Sequence, residues 1–144
     1  MGHSARNTAM DLLSRRDHSR KQLSDKLQQR GFEADEIAVA LDKLQQEHLL
    51  NDARFCESYL HQRVQRGYGP LRIRQELAQR GVSAEVIALC MESSEDGWVE
   101  CMQIQREKKF GKDMPEDYKE MTKQARFLQN RGFSPEAVMR LFRR

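Results

Sequence analysis

The sequence predicts an all-α protein of three tandem three-helix repeats in an elongated, curved, solenoid-like arrangement. An Arg-Gly pair recurs at residues 30–31, 80–81 and 131–132, which places successive glycines 50 and 51 residues apart. A period of this length is typical of stacked supersecondary units that contact mainly their neighbours. Apolar residues recur at helical spacing throughout, without the alternating β-branched runs that are typical of strands.

The repeat extends to positions on both sides of each glycine. A leucine precedes the glycine by four residues, an acidic residue follows it by four, and apolar residues follow it by six and by ten. These residues are Leu27, Leu77 and Leu128; Asp35, Glu85 and Glu136; Ile37, Ile87 and Val138; and Leu41, Met91 and Phe142. We therefore expect three modules, at residues 1–49, 50–94 and 95–144.

Module one contains predicted helices at residues 4–16, 19–30 and 33–47. Ser19 opens the middle helix, and Gln22 is placed to complete a capping box with it. Gly31 ends that helix, because glycine adopts the left-handed conformation there without a Cβ clash.

Module two contains predicted helices at residues 51–66, 69–80 and 83–92. Gly69 and Pro70 start the middle helix, since proline is favoured in the first helical turn. Ile73 and Leu77 lie on one face of it, and Ser83 is a candidate cap for the third helix.

Module three contains predicted helices at residues 95–110, 115–131 and 134–143. Trp98 and Met102 share a helical face, and we expect both to fill the core. Ser134 followed by Pro135 is a cap with proline at the first helical position.

Composition excludes several classes of protein. The longest apolar run has six residues, whereas a membrane span needs roughly 20. The first residues lack the basic-then-apolar layout of a secretory signal. Three cysteines without a CxxC pair are typical of reduced thiols in the cytosol. The sequence predicts a cytoplasmic protein that binds no membrane.

No catalytic or metal-binding motif is found. The chain has no glycine-rich phosphate loop, no nucleophile elbow and no HExxH pair. Its four histidines and three cysteines are scattered, whereas structural zinc needs four convergent ligands. We expect no catalytic residue, no metal and no cofactor, so the protein is not predicted to be an enzyme.

Charge is segregated along the chain although the net charge is only +3. The segments 1–30, 61–80 and 119–144 carry +4, +4 and +5, whereas 31–60 and 84–100 each carry −5. Each basic segment contains the middle helix of a module. Stacked modules could therefore align a basic surface suited to a polyanion or to an acidic, DNA-loaded protein.

Seven residues are candidates for binding a partner or DNA. Arg72 and Arg74 flank Ile73 on opposite sides of a helix, outside its apolar stripe. Lys123 and Arg126 are the equivalent candidates in module three, and Arg63 and Arg66 lie in the same basic segment as Arg72. Each of these cations could instead be an ordinary solvated side chain.

Tyr68 is the aromatic candidate. It stands between Gly67 and Gly69, where it could stack on a base or partner, or pack over a helix junction. The arginines of the three Arg-Gly pairs have a simpler interpretation. A cation in the last turn of a helix is favourable against the helix dipole.

The residues that carry a family resemblance lie along nearly the whole chain. The clearest are Asn51-Asp52-x-Arg54-Phe55, then Gly67-Tyr68-Gly69-Pro70, then Ile73-x-x-Glu76-Leu77. Leu13-x-x-Arg16-x-His18-Ser19 and Arg126-Phe127-Leu128 with Arg131-Gly132-Phe133 extend the match. In this combination the chain resembles the RecX family of bacterial recombination regulators.

The resemblance implies three tandem three-helix repeats and binding to the RecA recombinase, particularly its active filament on single-stranded DNA. Family members restrain that filament by lying in its helical groove or by blocking its growing end. They thereby reduce the filament's ATP hydrolysis, its extension and its strand exchange. Some members bind DNA directly, so weak direct DNA binding is also expected, by a protein that we expect to be a monomer. The alternative is a DNA-binding module whose three-helix units act like helix-turn-helix domains on duplex DNA.

Overall fold

The computed structural model describes residues 4–92 and 97–143. Within these ranges the chain forms nine α-helices and no strand, which confirms the predicted all-α class. The helices are α1 (Ala5–Arg15), α2 (Arg20–Gln29), α3 (Ala34–Gln46), α4 (Asp52–Gln65), α5 (Pro70–Gln79), α6 (Ala84–Glu92), α7 (Trp98–Phe110), α8 (Tyr118–Asn130) and α9 (Pro135–Phe142). The predicted start of the seventh helix at residue 95 and the predicted boundary between residues 94 and 95 lie outside the described residues.

The helix starts follow local capping signals. The Ser19 side chain accepts from the backbone N–H of Gln22, and the Gln22 side chain accepts from the backbone N–H of Ser19, which confirms the predicted capping box. Ser134 caps α9 and Pro135 occupies its first position, also as predicted. The eighth helix was predicted from residue 115 but begins at Tyr118. The carboxylate of Asp117 accepts from the backbone N–H of Glu120 there and fixes the later start.

Each Arg-Gly pair terminates a middle helix through a left-handed glycine. Gly31, Gly81 and Gly132 follow α2, α5 and α8 with φ of 91°, 85° and 107°. This conformation clashes with a Cβ, and glycine has none. The predicted role of the repeated glycine is therefore confirmed.

Residue contacts divide the chain into two compact units. The N-terminal unit holds the described residues through Tyr59 together with Leu77–Ala88. The C-terminal unit holds Leu60–Glu76 together with the described residues from Leu89 onward. Helices α4, α5 and α6 each contribute to both units, so the predicted module boundary between residues 49 and 50 stays a prediction.

In the N-terminal unit, α1, α2 and α3 pack against one another around a common core. Its buried apolar side chains include Leu12, Leu23, Leu27, Ile37, Leu41, Leu44 and Leu50. The buried Ser19 hydroxyl donates to the carbonyl of Arg80, with 2.6 Å between the oxygens. A Cβ on Gly81 would collide with the Lys21 side chain, so the first turn of α2 lies directly on the turn that ends α5.

In the C-terminal unit, α7, α8 and α9 pack together in the same way. The core includes Met102, Leu128, Phe133, Val138 and Leu141, with Trp98 partly buried against it. Met102 and Trp98 are therefore core residues, as the sequence predicted.

A backbone junction joins the start of α5 to the end of α8 within the same unit. The N–H of Gly69 donates to the Arg131 carbonyl at 2.7 Å, and the N–H of Leu71 donates to the Gly132 carbonyl at 2.9 Å. A Cβ on Gly132 would lie 2.5 Å from the Cβ of Arg72. Glycine is thus required here for close approach as well as for its left-handed φ.

No helix among the described residues is long and apolar enough to cross a membrane. Across residues 4–92 and 97–143, no group of three or more His, Cys, Asp or Glu is placed to hold a metal ion.

Candidate interaction surface

The turn between α4 and α5 positions Tyr68 at the surface of the C-terminal unit. Gly67 has a φ of 89°, and its N–H donates to the Val64 carbonyl at 2.9 Å. The N–H of Tyr68 donates to the Arg63 carbonyl at 3.1 Å. The side chain of Gln105 from α7 fills the space where a Cβ of Gly67 would lie. This tight turn leaves the Tyr68 ring half-buried.

Three guanidinium groups surround the Tyr68 ring. Their Cζ atoms lie 3.8 Å from the ring centroid for Arg63, 4.4 Å for Arg72 and 5.0 Å for Arg131. Each distance is within the range in which a cation is attracted to the negative face of an aromatic ring. Tyr68 therefore packs over the helix junction, and its ring already has cationic partners.

Glu76 holds two of these arginines in place. Arg63 donates from Nε and Nη2 to the two carboxylate oxygens of Glu76, both at 2.9 Å, and Arg72 donates from Nε at 3.2 Å. The side chains of Arg63 and Glu76 are only 17% and 16% exposed. We name Arg63, Tyr68, Arg72, Glu76 and Arg131 the Tyr68 cluster. Its three guanidiniums and one carboxylate carry a net charge of +2.

Arg131 also belongs to this surface, although the sequence predicted only a favourable interaction of its charge with the helix dipole. Its Nη1 donates to the carbonyl of Arg66 at 3.2 Å, and its Cζ also lies 5.3 Å from the Phe127 ring. Arg72 donates in parallel to the carbonyl of Asn130 at 3.3 Å. The recurrence of Arg before each glycine was the available signal, but the recurrence alone does not identify the partners of Arg131.

The candidates of module two therefore differ in what they can offer a partner. Arg63 is held inside the cluster, and Arg72 is half-exposed with its guanidinium engaged by Glu76 and Asn130. Arg66 and Arg74 are exposed, and neither side chain forms an ion pair among the described residues. Ile73 is fully buried, as its predicted place in the apolar stripe requires.

Lys123 and Arg126, the candidates of module three, line a groove beside α7 and α8. The groove has a volume of about 1120 Å³ and is also lined by Lys109, Tyr118 and Lys119. We name it the α7–α8 groove. It lies entirely within the C-terminal unit, and Phe127 lines it while also contacting Arg131 of the Tyr68 cluster. Arg131 thus contacts both Tyr68 and a residue that lines the groove, so it links the candidate residues of module two to those of module three.

A buried arginine fixes the segment between α7 and α8. Arg106 is fully buried, and its guanidinium donates to the carbonyls of Lys112 and Asp113 at 3.1 and 3.2 Å. It also donates to Oε1 of the buried Gln124 at 3.2 Å. A buried charge needs such hydrogen bonds to offset its lost hydration. Arg106 was not predicted from the sequence, since its position in α7 carries no repeat signal.

Three domain models of the RecX family match this chain. They describe the first, second and third three-helix domains of RecX and match residues 5–44, 51–91 and 99–142. The chain is 46% identical over 136 residues to Regulatory protein RecX of Pseudomonas tolaasii, covering 94% of this chain and 88% of that protein. It is 43% identical over 133 residues to Regulatory protein RecX of Halorhodospira halophila, covering 92% and 83%.

The fold agrees with a solved relative. The crystal structure of RecX from Lactobacillus salivarius superposes with a TM-score of 0.82 at 25% identity, covering 95% of this chain and 91% of that one. The helices and the domain matches define a helical protein built from three-helix domains. The chain belongs to the RecX family, which confirms the resemblance found in the sequence.

Proposed function

We propose that this protein is a non-enzymatic regulator that binds the RecA filament on single-stranded DNA and inhibits its ATPase, extension and strand exchange. Membership of a family of regulatory proteins supports a regulatory role. In this proposal the protein works as a monomer in the cytoplasm and limits homologous recombination during DNA repair and the SOS response. The modules at residues 1–49, 50–94 and 95–144 supply separate shallow contacts, which gain affinity by avidity.

The observation that carries the proposal is the Tyr68 cluster with its exposed neighbours. Tyr68 and Glu76 order three guanidiniums, so these side chains lose little further freedom when a partner binds. Arg66 and Arg74 add two exposed cations close to them in sequence. A fixed positive surface of this kind steers acidic partners and determines orientation on binding.

The first test changes only the exposed cations. The double variant Arg66→Glu/Arg74→Glu should melt like the parent, because neither side chain forms an ion pair among the described residues. It should inhibit the ATPase of RecA on single-stranded DNA about tenfold less potently, since two attractive charges become repulsive. The matched control, Arg30→Glu/Lys43→Glu, makes the same charge change at two exposed positions elsewhere.

The outcomes separate the candidate functions. Full inhibition by the Arg66/Arg74 variant would contradict the role of this surface. Tight sequence-specific binding to duplex DNA by the parent, without any effect on RecA, would instead support the helix-turn-helix alternative. A titration begun with preformed filaments and another begun during assembly distinguish groove binding from end capping, because capping inhibits assembly alone.

A further inference from the structure

We propose that the surface around Gly31 binds the first turn of a helix from another protein. The proposal does not rest on RecA binding, because it concerns a separate surface in the N-terminal unit. The chain contains three Arg-Gly turns, and two of them are covered by the start of a middle helix from the preceding module. The turn at Arg30 and Gly31 has no such cover among the described residues.

Both covered turns accept a hydrogen bond from the helix start. The Ser19 hydroxyl donates to the Arg80 carbonyl at 2.6 Å, and the Gly69 N–H donates to the Arg131 carbonyl at 2.7 Å. The last carbonyls of a helix have no intrahelical donor, so each of these bonds satisfies a group that would otherwise need water. In both junctions the donor is the residue directly before a helix, and it is Ser or Gly.

Both covered turns also carry the stem of a basic side chain on their glycine. A Cβ on Gly81 would lie 2.4 Å from the Cβ of Lys21, and a Cβ on Gly132 would lie 2.5 Å from the Cβ of Arg72. Lys21 and Arg72 lie two and three residues after the hydrogen-bond donor of their junction. An Arg-Gly turn of this chain is therefore covered by a helix that starts with Ser or Gly and carries a cation within three residues.

The turn at Arg30 and Gly31 is open. A Cβ on Gly31 would meet no described atom within 4 Å, and the Arg30 carbonyl accepts no hydrogen bond from the part of the chain that the structure describes. Phe32 follows the glycine and is half-buried, whereas its counterparts Val82 and Phe133 are only 5% and 2% exposed. Module one thus presents the same turn without the helix that completes its burial in the other modules.

A groove of about 350 Å³ adjoins the open turn. Phe32 lines it from the turn, Gln28 lines it from α2, and Ile37 and Leu41 line it from α3. Ile37 and Leu41 belong to the buried core of the N-terminal unit, so the floor of the groove is apolar. A helix that docks in a groove uses apolar side chains as anchors in such places. We name the turn and this groove together the Gly31 surface.

The Gly31 surface is acidic. Glu33 lines the groove and Asp35 lies two residues further along α3, and both are exposed. Neither carboxylate forms an ion pair within residues 4–92 and 97–143. Arg20 also lines the groove, but its charge is paired with Asp42. A cation of the kind found at the covered junctions would therefore meet unpaired carboxylates, which favour its approach and fix its orientation.

A second copy of this chain has no free helix start of the required kind. Among the described helices, three starts have Ser or Gly followed by a cation within three residues. Those at Ser19 and Gly69 already cover turns of their own chain. At Ser4 the cation is Arg6, which is paired with Glu47. The occupant is therefore a different protein, whose helix starts with Ser or Gly, has Lys or Arg in its first turn and supplies an apolar anchor.

The test uses a fluorescently labelled peptide that copies residues 17–29, the start of α2. A side-chain staple holds it helical, because an isolated helix of this length is marginal in water. Anisotropy measures its binding to the full chain, in which the other two Arg-Gly turns are already covered. Binding should shift the backbone amide NMR signals of Gly31 and Phe32. Shifts confined to the two covered turns would contradict the proposal.

One variant fills the groove with a side chain. Ala38→Trp should weaken peptide binding at least about fivefold, because the ring takes the place of the apolar anchor. Ala88→Trp is the matched control, since residue 88 follows Gly81 by seven residues as residue 38 follows Gly31. Both alanines are exposed, so both variants should melt like the parent, and the control should bind the peptide like the parent.

A charge swap tests the acidic side of the surface. The peptide variant Lys21→Glu should bind the parent at least about fivefold more weakly than the unchanged peptide does. Glu33→Lys/Asp35→Lys should reverse this preference, because the two changes then restore opposite charges. Glu57→Lys/Glu85→Lys is the control. Glu85 holds the same position in α6 as Asp35 in α3, so its loss has the same effect on the helix dipole. The control should keep the parent's preference.

Three further results would overturn the proposal. They are equal affinity of Ala38→Trp and Ala88→Trp, no reversal in the charge swap, and a concentration-dependent dimer of the parent that Ala38→Trp abolishes. The last would identify a second copy as the occupant. The RecA proposal fails separately, since it is measured by ATPase inhibition without the peptide. The proposed contact uses the Arg30 carbonyl, so Arg30→Glu/Lys43→Glu remains a valid control there.

Discussion

The guanidinium carbon of Arg131 lies 5.0 Å from the centre of the Tyr68 ring. The same guanidinium lies 5.3 Å from the Phe127 ring and donates to the carbonyl of Arg66. Arg131 therefore connects the turn after α4 with the end of α8 and with the groove beside it. Because its partners are rings and a carbonyl, its positive charge is positioned without being neutralised by them.

Gly132→Ala should destabilise the protein more than Gly31→Ala. Both substitutions put a Cβ on a left-handed residue, which costs about 1–2 kcal/mol. At Gly132 the new Cβ would also lie 2.5 Å from the Arg72 Cβ, whereas nothing lies within 4 Å at Gly31. Urea unfolding should show an extra loss on the order of 1–3 kcal/mol for Gly132→Ala. Equal losses would show that the junction between α5 and α8 is loose.

Leu77→Ala should cost about 2–5 kcal/mol of unfolding free energy, because Leu77 is fully buried in α5. Leu71→Ala in the same helix is the control. The Leu71 side chain is 45% exposed, so its removal should change stability by no more than about 0.5 kcal/mol. Chemical denaturation of both variants measures the difference, and a large loss for Leu71→Ala would contradict the orientation of α5.

Ser19→Ala should cost more than Ser134→Ala. Both changes remove an N-cap, worth about 0.5–2 kcal/mol. Ser19 also donates to the Arg80 carbonyl from a fully buried position, and losing that hydrogen bond should add about 0.5–1.5 kcal/mol. Thermal and urea unfolding provide the comparison. If the two variants lose the same free energy, the contact between α2 and the end of α5 contributes nothing.

His18 should make the protein less stable as the pH falls through about 6.5. Burial lowers the pKa of His18 below its ordinary value of 6.5, and the charges of Arg16 and Lys26 act in the same direction. The hydrogen bond to the Arg16 carbonyl and the charge of Asp17 act against them. Nδ1 lies 3.0 Å from that carbonyl oxygen, which can only accept, so Nδ1 carries the proton of the neutral ring.

The direction of this pH dependence follows from proton binding to His18. Below about pH 6.5 the unfolded chain binds a proton at His18 that the folded chain still excludes, so acid favours unfolding. Urea midpoints measured from about pH 8 to about pH 5.5, above the range of ordinary carboxylates, should fall in the parent. They should fall less in His18→Gln than in the parent. A midpoint that rises with acid would contradict the neutral ring.

Local signals explain which parts of the fold the sequence predicted. The Ser19–Gln22 box and the Ser134–Pro135 start act within four residues, so they can be read directly from the chain. The start of α8 was misplaced because Asp117 caps it after Pro115, and both residues are plausible starts in isolation. The all-α class was predictable because the apolar spacing repeats three times.

The candidate site was predictable only in part. The sequence identified Tyr68, Arg72 and Arg74 as notable, but it could not show which of them have internal partners. The pair between Arg63 and Glu76 joins two helices, and the contact of Arg131 with Tyr68 joins residues 63 positions apart. Such contacts depend on tertiary packing. Arg74 is exposed whereas Arg72 is half-exposed, and this difference arises only from the packing of α5 against its neighbours.

The extra length of α8 has a consequence for the architecture. Ser19 and Gly69 each lie twelve residues before a repeated glycine, at the start of a middle helix. Each donates a hydrogen bond to the arginine carbonyl of the next Arg-Gly pair along the chain. The corresponding residue before Gly132 is Glu120, which already lies inside α8, with its N–H bound to Asp117. At the earlier junctions the corresponding groups are the Ser19 hydroxyl and the Gly69 N–H, which donate to the carbonyls of Arg80 and Arg131. The first turn of α8 is thus closed by its own cap, whereas the first turns of α2 and α5 also bind the end of the following middle helix.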